Sequence, residues 1–187
     1  GIIFYLAERR KNGCRRIRAN FLIMRTQQTM TLPRKRIGYC NYGTEQTMND
    51  INGFFGEFRW LSNFAKLETP IEILGVEFHT TENAYQASKC KQMDDFVLFG
   101  NLSASEAKAF GKQVEKRFDF EENKLAIMES LLEMKFSQPS FKEKLLATGN
   151  CYIEETNTWN DTFWGVCDGV GENNLGMIIM KIRNKLK

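Results

Sequence analysis

Between residues 121 and 136 the apolar side chains return at helical intervals, with Leu125, Met128, Leu131, Leu132 and Phe136 forming one stripe. A stripe that long has to be covered, so other elements must pack on it. Ser103-Ala104-Ser105-Glu106 and Ser140-Phe141-Lys142-Glu143 both carry the S-x-x-E spacing of a capping box. They predict helices from 103 to about 118 and from 140 to a stop at Gly149. A final helix from about Asn174 buries Leu175, Ile178, Ile179, Ile182 and Leu186. Strand signals are shorter. They are an aromatic-rich run over 53–58, a hairpin of 71–74 and 76–78 split by Gly75, and residues 151–153. The pattern predicts a single helix-rich α+β domain with a small, mostly antiparallel sheet and about five helices.

A hydrophobic content of 42%, with 15 Phe among 187 residues, supplies a buried core and excludes a disordered chain. The net charge of +3 is unevenly divided. Ten of the 26 Lys and Arg but three of the 23 Asp and Glu fall in residues 1–50, leaving 16 basic and 20 acidic residues in the rest. The body, 50–187, therefore has no broad basic surface that calls for nucleic acid. Residues 1–49 form a basic leader, expected to be disordered or loosely attached. Its Arg9-Arg10-Lys11 and Arg15-Arg16-Ile17-Arg18 fit a transit peptide, a nucleic-acid-binding arm, or sequence ahead of a native start at Met24, Met30 or Met48. Five cysteines without a C-x-x-C pair or a Cys/His cluster argue against structural zinc and for a reduced, cytoplasmic setting. Cys90 and Cys151 lie in apolar segments and are expected to be buried. No apolar run approaches the ~20 residues of a membrane-spanning helix.

Thr81-Glu82-Asn83-Ala84-Tyr85-Gln86-Ala87-Ser88-Lys89 carries the first chemistry. In a helix Glu82, Gln86 and Lys89 stand at i, i+4 and i+7 on one face. That row of carboxyl, amide and ammonium suits a polar, phosphorylated substrate, and it equally suits a solvated face with a glutamate at the helix start. Asn160-Asp161-Thr162-Phe163-Trp164-Gly165 puts a carboxylate, two aromatics and a glycine into six residues. It fits a ligand-stacking loop or a turn around a buried Trp. Gly169-Val170-Gly171-Glu172-Asn173-Asn174-Leu175-Gly176 opens the last helix, where backbone N–H groups could hold an anion. His79, the one histidine, sits just before the first helix and is assigned to structure or solvent.

Taken in order, Ser62-Asn63-Phe64, Thr81-Glu82-x-x-Tyr85-Gln86-x-x-Lys89, Asp161-x-x-Trp164-Gly165 and Gly171-x-Asn173-x-Leu175-Gly176-x-x-x-Met180-x-x-Arg183 closely resemble the NADAR domain family, which includes the YbiA-like N-glycosidases. The resemblance covers about residues 51–187. It implies a hydrolase that cleaves an N-glycosidic bond to ribose, without metal or redox cofactor. The implied substrates are riboflavin-pathway intermediates carrying a ribosylamine 5′-phosphate, or ADP-ribose conjugates such as ADP-ribosylated guanine. ADP-ribosylated nucleic acid is a further partner, and a non-catalytic module that binds NAD or ADP-ribose is the competing class.

On that resemblance Glu82 is the acid/base, and Asp161 orients water or steadies the developing cation. Glu154 is a second carboxylate candidate. Lys89 either binds phosphate or attacks C1 of an opened ribose. Asn63, Phe64, Gln86, Trp164, Gly165 and Asn173 should line one cleft with them, Trp164 and Phe64 stacking on the base and the amides meeting base or ribose edges. Lys112 and the N–H groups around Gly171 should lie nearest the phosphate. The chain departs from the family pattern at Ala104, where proline is common, and at Lys112, where arginine is usual. The loop between Thr156 and Asp161 is also about two residues longer.

Overall fold

The computed structural model describes the backbone of residues 3–11 and 14–22, and residues 50–187 in full. Strands β1 (Ile3–Lys11) and β2 (Cys14–Leu22) pair antiparallel in a sheet of their own. The remainder of the leader lies outside the described residues.

The body begins with β3 (Ile51–Asn52), followed by a 3-10 helix, Gly56–Leu61. The strand expected over 53–58 does not form. Gly53 and Gly56 take φ of 94° and 55°, which end the extended run. β4 (Lys66–Ile73) and β5 (Val76–Thr80) then form the expected hairpin. Leu74 and Gly75 both have positive φ in its two-residue turn, the backbone that matches strand twist.

α1 (Thr81–Ala87) follows, with the Thr80 side chain accepting from the Asn83 backbone N–H. The Asn83 amide donates to the carbonyls of Phe99 (2.9 Å) and Leu102 (2.7 Å), tying α1 to the segment after α2 (Met93–Leu98). α3 (Ala104–Phe110) has the complete Ser103/Glu106 capping box but stops at Gly111 instead of about 118. The chain leaves it as a bridge that pairs Lys116 with Cys90. α4 (Phe120–Phe136) is the longest helix, and α1, α5 (Pro139–Ala147) and α6 (Asn174–Leu186) pack on it.

Between α5 and α6 lie β6 (Ile153–Glu154), β7 (Thr156–Asn157) and β8 (Val166–Cys167). β6 pairs parallel with β3, and β7 pairs parallel with β8. The α+β class is thus realised with separate two-stranded pairs rather than one sheet, most paired residues of the body lying in the antiparallel hairpin. Six α-helices form among the described residues, against an expectation of about five. None is long and apolar enough to cross a membrane.

Two local expectations change for physical reasons. Pro139 starts α5 one residue before Ser140, so the second capping box does not form. The preceding Gln138 instead accepts from the backbone N–H groups of Glu68 and Thr69 and donates to the Thr69 carbonyl. On α4 the buried stripe is Met128, Leu131, Leu132, Lys135 and Phe136, while Leu125 is 43% exposed. Lys135 is fully buried, with Nζ donating to the carbonyls of Leu61 (3.1 Å) and Ser62 (2.8 Å). Its ammonium also lies 5.2 Å from the centroids of Phe136 and Phe141. Burial pushes its pKa down to about 7, while the carbonyls and ring faces favour the charged form. Edge-on aromatic pairs such as Phe78–Phe96 (5.4 Å) and Phe136–Phe141 (6.4 Å) knit the core, each contributing about 0.5–1.5 kcal/mol beyond area. Cys151 is buried as expected; Cys90 is half-buried, and His79 is exposed.

Candidate active site

α1 presents Glu82 and Gln86 as the helical spacing requires, and both are buried. The Glu82 backbone N–H donates to the Asn63 carbonyl at 2.9 Å, which fixes the helix start against the loop after the first 3-10 turn. Gln86 Nε2 donates to Glu82 Oε1 at 2.7 Å and so orients the carboxylate. Gly111, where α3 ends, allows this. A Cβ there would fall 1.9 Å from Gln86 Oε1. Lys89 lies past the C-cap Ser88, off the ideal helical row, with its ammonium 5.4 Å from the Tyr85 ring and 5.8 Å from Phe120. Its charge still bears on Glu82.

The second group comes from residues 155–165. Asn157 organises it from a buried position. Its Nδ2 donates to the carbonyls of Asp161 (2.8 Å) and Val166 (3.3 Å), and its Oδ1 accepts from the N–H groups of Trp159 and Asp161. Asp161 Oδ1 accepts from the Trp164 N–H at 2.9 Å. Trp164 meets Tyr85 edge-on at 5.6 Å, and Phe163 meets Trp164 at 5.0 Å. An aromatic wall thus joins the loop to α1 one turn from Glu82. Gly165 lets the loop close on itself, since a Cβ there would lie 2.2 Å from the Glu155 carbonyl.

Four sequence expectations are redirected. Glu154 accepts from the Thr156 hydroxyl, and the carboxylate on which the charges of Asp161 and Glu82 act is its neighbour Glu155. Asn173 commits its side chain to the protein. Its Oδ1 accepts from the Glu155 N–H, and its Nδ2 donates to the Ile153 carbonyl and the Tyr152 hydroxyl. It therefore positions Glu155 rather than offering an amide to a ligand. The glycine turn before α6 is likewise occupied. The N–H groups of Glu172, Asn173, Asn174 and Leu175 donate to the carbonyls of Thr162, Gly165, Phe163 and Trp164, and Gly171 packs against the Gly165 carbonyl. Lys112 is exposed beyond α3. The cation whose charge bears on both Glu82 and Glu155 is Lys108, on α3.

Lys108 and Glu155 are the residues that sequence spacing missed. A weak signal existed for Glu155: adjacent residues of an extended segment face opposite ways, so Glu154 and Glu155 cannot both reach the site. Lys108 carried none.

The electrostatics suit proton transfer. Burial raises the Glu82 pKa, opposed by the Gln86 hydrogen bond and by the charges of Lys108 and Lys89. Glu155 is pushed up to about 7, by burial first and then by Asp161 and Glu82, against Lys108. Burial lowers the Lys89 pKa, against Glu82. Asn63 Oδ1, Gln86 Oε1 and Glu155 Oε2 are buried acceptors without a hydrogen-bond partner. Among the described residues no group of three or more His, Cys, Asp or Glu is placed to hold a metal ion.

Comparison with known proteins gives the family of the chain. The family model for the NADAR domain matches residues 46–187. The chain is 30% identical over 162 residues to N-glycosidase YbiA of Escherichia coli (strain K12), a match covering 84% of this chain and 98% of that protein. It is 32% identical over 136 residues to a riboflavin biosynthesis protein of Vibrio vulnificus, covering 68% of this chain and 35% of that protein. The NMR structure of E. coli YbiA superposes with a TM-score of 0.64 at 29% identity, covering 74% of this chain and 86% of that one. The chain belongs to the NADAR domain family.

Proposed function

We propose that this NADAR-domain chain is an N-glycosidase that hydrolyses the C1–N bond of a phosphorylated ribosyl substrate. The observation that carries the proposal is the grouping of buried Glu82, half-buried Glu155 and Asp161, carboxylates whose charges act on one another, with cations from α3 and the end of α1. Loss of the base leaves an oxocarbenium-like ribose, which an anion near C1 stabilises, and protonation helps the base depart. Glu155, the member held protonated towards neutrality, suits the donor. Glu82, with Gln86, Lys108 and Lys89 all favouring its anion, suits the stabilising carboxylate, and it receives a proton when water attacks. Asp161 orients that water. Trp164, Tyr85 and Phe64 supply aromatic surface for the base, and Lys89 contributes positive charge beside Glu82. The names of the relatives support N-glycosidase chemistry and, through the Vibrio protein, substrates of the riboflavin-intermediate kind; ADP-ribosyl conjugates fit the same chemistry.

Incubation with ribosylamine 5′-phosphate intermediates and with ADP-ribosylated guanosine, followed by detection of released base, tests class and substrate together. Release by the wild-type protein should fall about 10²- to 10⁴-fold in kcat for Glu82→Gln. Tight binding with no release from any substrate would make the chain a reader of ADP-ribose and not an enzyme. Near-normal turnover by folded Glu82→Gln would take Glu82 out of the chemistry.

A further inference from the structure

Lys108 stands half-buried on α3 with its ammonium 5.6 Å from the Phe64 ring centroid and 5.4 Å from that of Trp159. The three side chains come from separate parts of the chain: the loop before β4, α3, and the loop after β7. Trp159 is 59% exposed although its backbone N–H is fixed by Asn157, so the ring stands at the rim of the site and not in the core. Lys91, Lys116, Lys124, Lys181 and Lys185 all form ion pairs, whereas Lys108 forms none among the described residues. Ring faces hold an ammonium only weakly. A charge-assisted bond to a phosphate oxygen is stronger, so the side chain would leave the rings for an anion. The backbone donors before α6, the other natural phosphate site, are already bonded to the 162–165 carbonyls.

We propose that Lys108, seated between Phe64 and Trp159, is the residue that binds the phosphate of the substrate and sets the preference for phosphorylated over unphosphorylated ribosyl compounds. The proposal rests on the N-glycosidase reading for the identity of the sugar. It is tested by binding alone, so failure of the hydrolysis assay leaves the test standing.

Calorimetric titration with ribose 5-phosphate and with ribose supplies the readout, the quantity being the ratio of the two affinities. The wild-type protein should favour ribose 5-phosphate, and Lys108→Met should lose about tenfold to a hundredfold of that ratio. Methionine keeps the apolar stem against the two rings, and a melting curve checks the fold. Lys108→Arg should restore most of the preference. Should the methionine variant melt early, Lys108→Gln gives the same comparison. A wild-type protein with no preference, or a folded Lys108 variant that keeps the full wild-type ratio, would overturn the proposal. So would loss of the ratio in Lys112→Met with retention in Lys108→Met, which would move the phosphate to the end of α3.

Discussion

Glu155 keeps its proton to about pH 7 because burial, Asp161 and Glu82 all disfavour its anion, against an ordinary value of 4.5. Between those two values the folded chain binds more protons than the unfolded one, so stability falls as pH rises. The contribution is fully present below about 4.5 and is lost as pH climbs through about 7. The magnitude is roughly 3 kcal/mol. Glu155→Gln removes this titration. The variant should match the wild type in melting temperature at acid pH and exceed it above neutrality; a difference independent of pH would show that the carboxyl titrates normally. The same residue marks how far sequence could reach. The acidic pair at 154–155 was visible, but which member faces Asp161 depends on Asn173 gripping the backbone at 153 and 155.

Helix signals were legible where the chain alone enforces them. The Ser103 box and the α6 stripe form as the spacing demands. They failed where a neighbouring residue has a competing task, as with Pro139 ahead of Ser140. On α4, Lys135 occupies the stripe position seven residues after Met128, so the period was right and the polarity hid it. Replacing Lys135 by methionine would strand the carbonyls of Leu61 and Ser62 in the core. An apolar swap for a buried ion pair is often harmless, but here the partners remain and cannot be removed with the lysine. Lys135→Met should therefore destabilise by about 1–3 kcal/mol, roughly 2–4 °C of melting temperature per kcal/mol. The junction of α1 and α3 gives a subtler expectation. Gly111→Ala should push Gln86 off Glu82 while leaving both helices formed. Loss of that hydrogen bond, which favours the Glu82 anion, should move the pH–rate profile upward with only a small change in melting temperature. An unmoved profile would show that Gln86 adapts without releasing Glu82.

At the scale of the molecule, the site is assembled from contacts far apart in the chain. Asn63 meets Glu82, Gln138 bonds to 68 and 69, and residues 51–52 pair with 153–154. Two-residue strands carry no periodic signal, which is why β3, β7 and β8 were invisible beforehand and why the parallel pairs were unexpected. The matched family region starts at residue 46. A protein of residues 46–187 should keep the melting temperature and base-releasing activity of the full chain to within about twofold, and a large loss would assign the leader a part in the body.

The four backbone bonds from residues 172–175 into the 162–165 carbonyls also make a kinetic statement. The Trp164 loop cannot swing outward while the first turn of α6 stays in place. Neither can fray alone, as loop tips and helix ends usually do. In hydrogen–deuterium exchange the amides of 172–175 should be protected despite standing at a helix start, and they should exchange with a common rate that also governs the Trp164 amide. The aromatic wall beside Glu82 should then move only together with the first turn of α6.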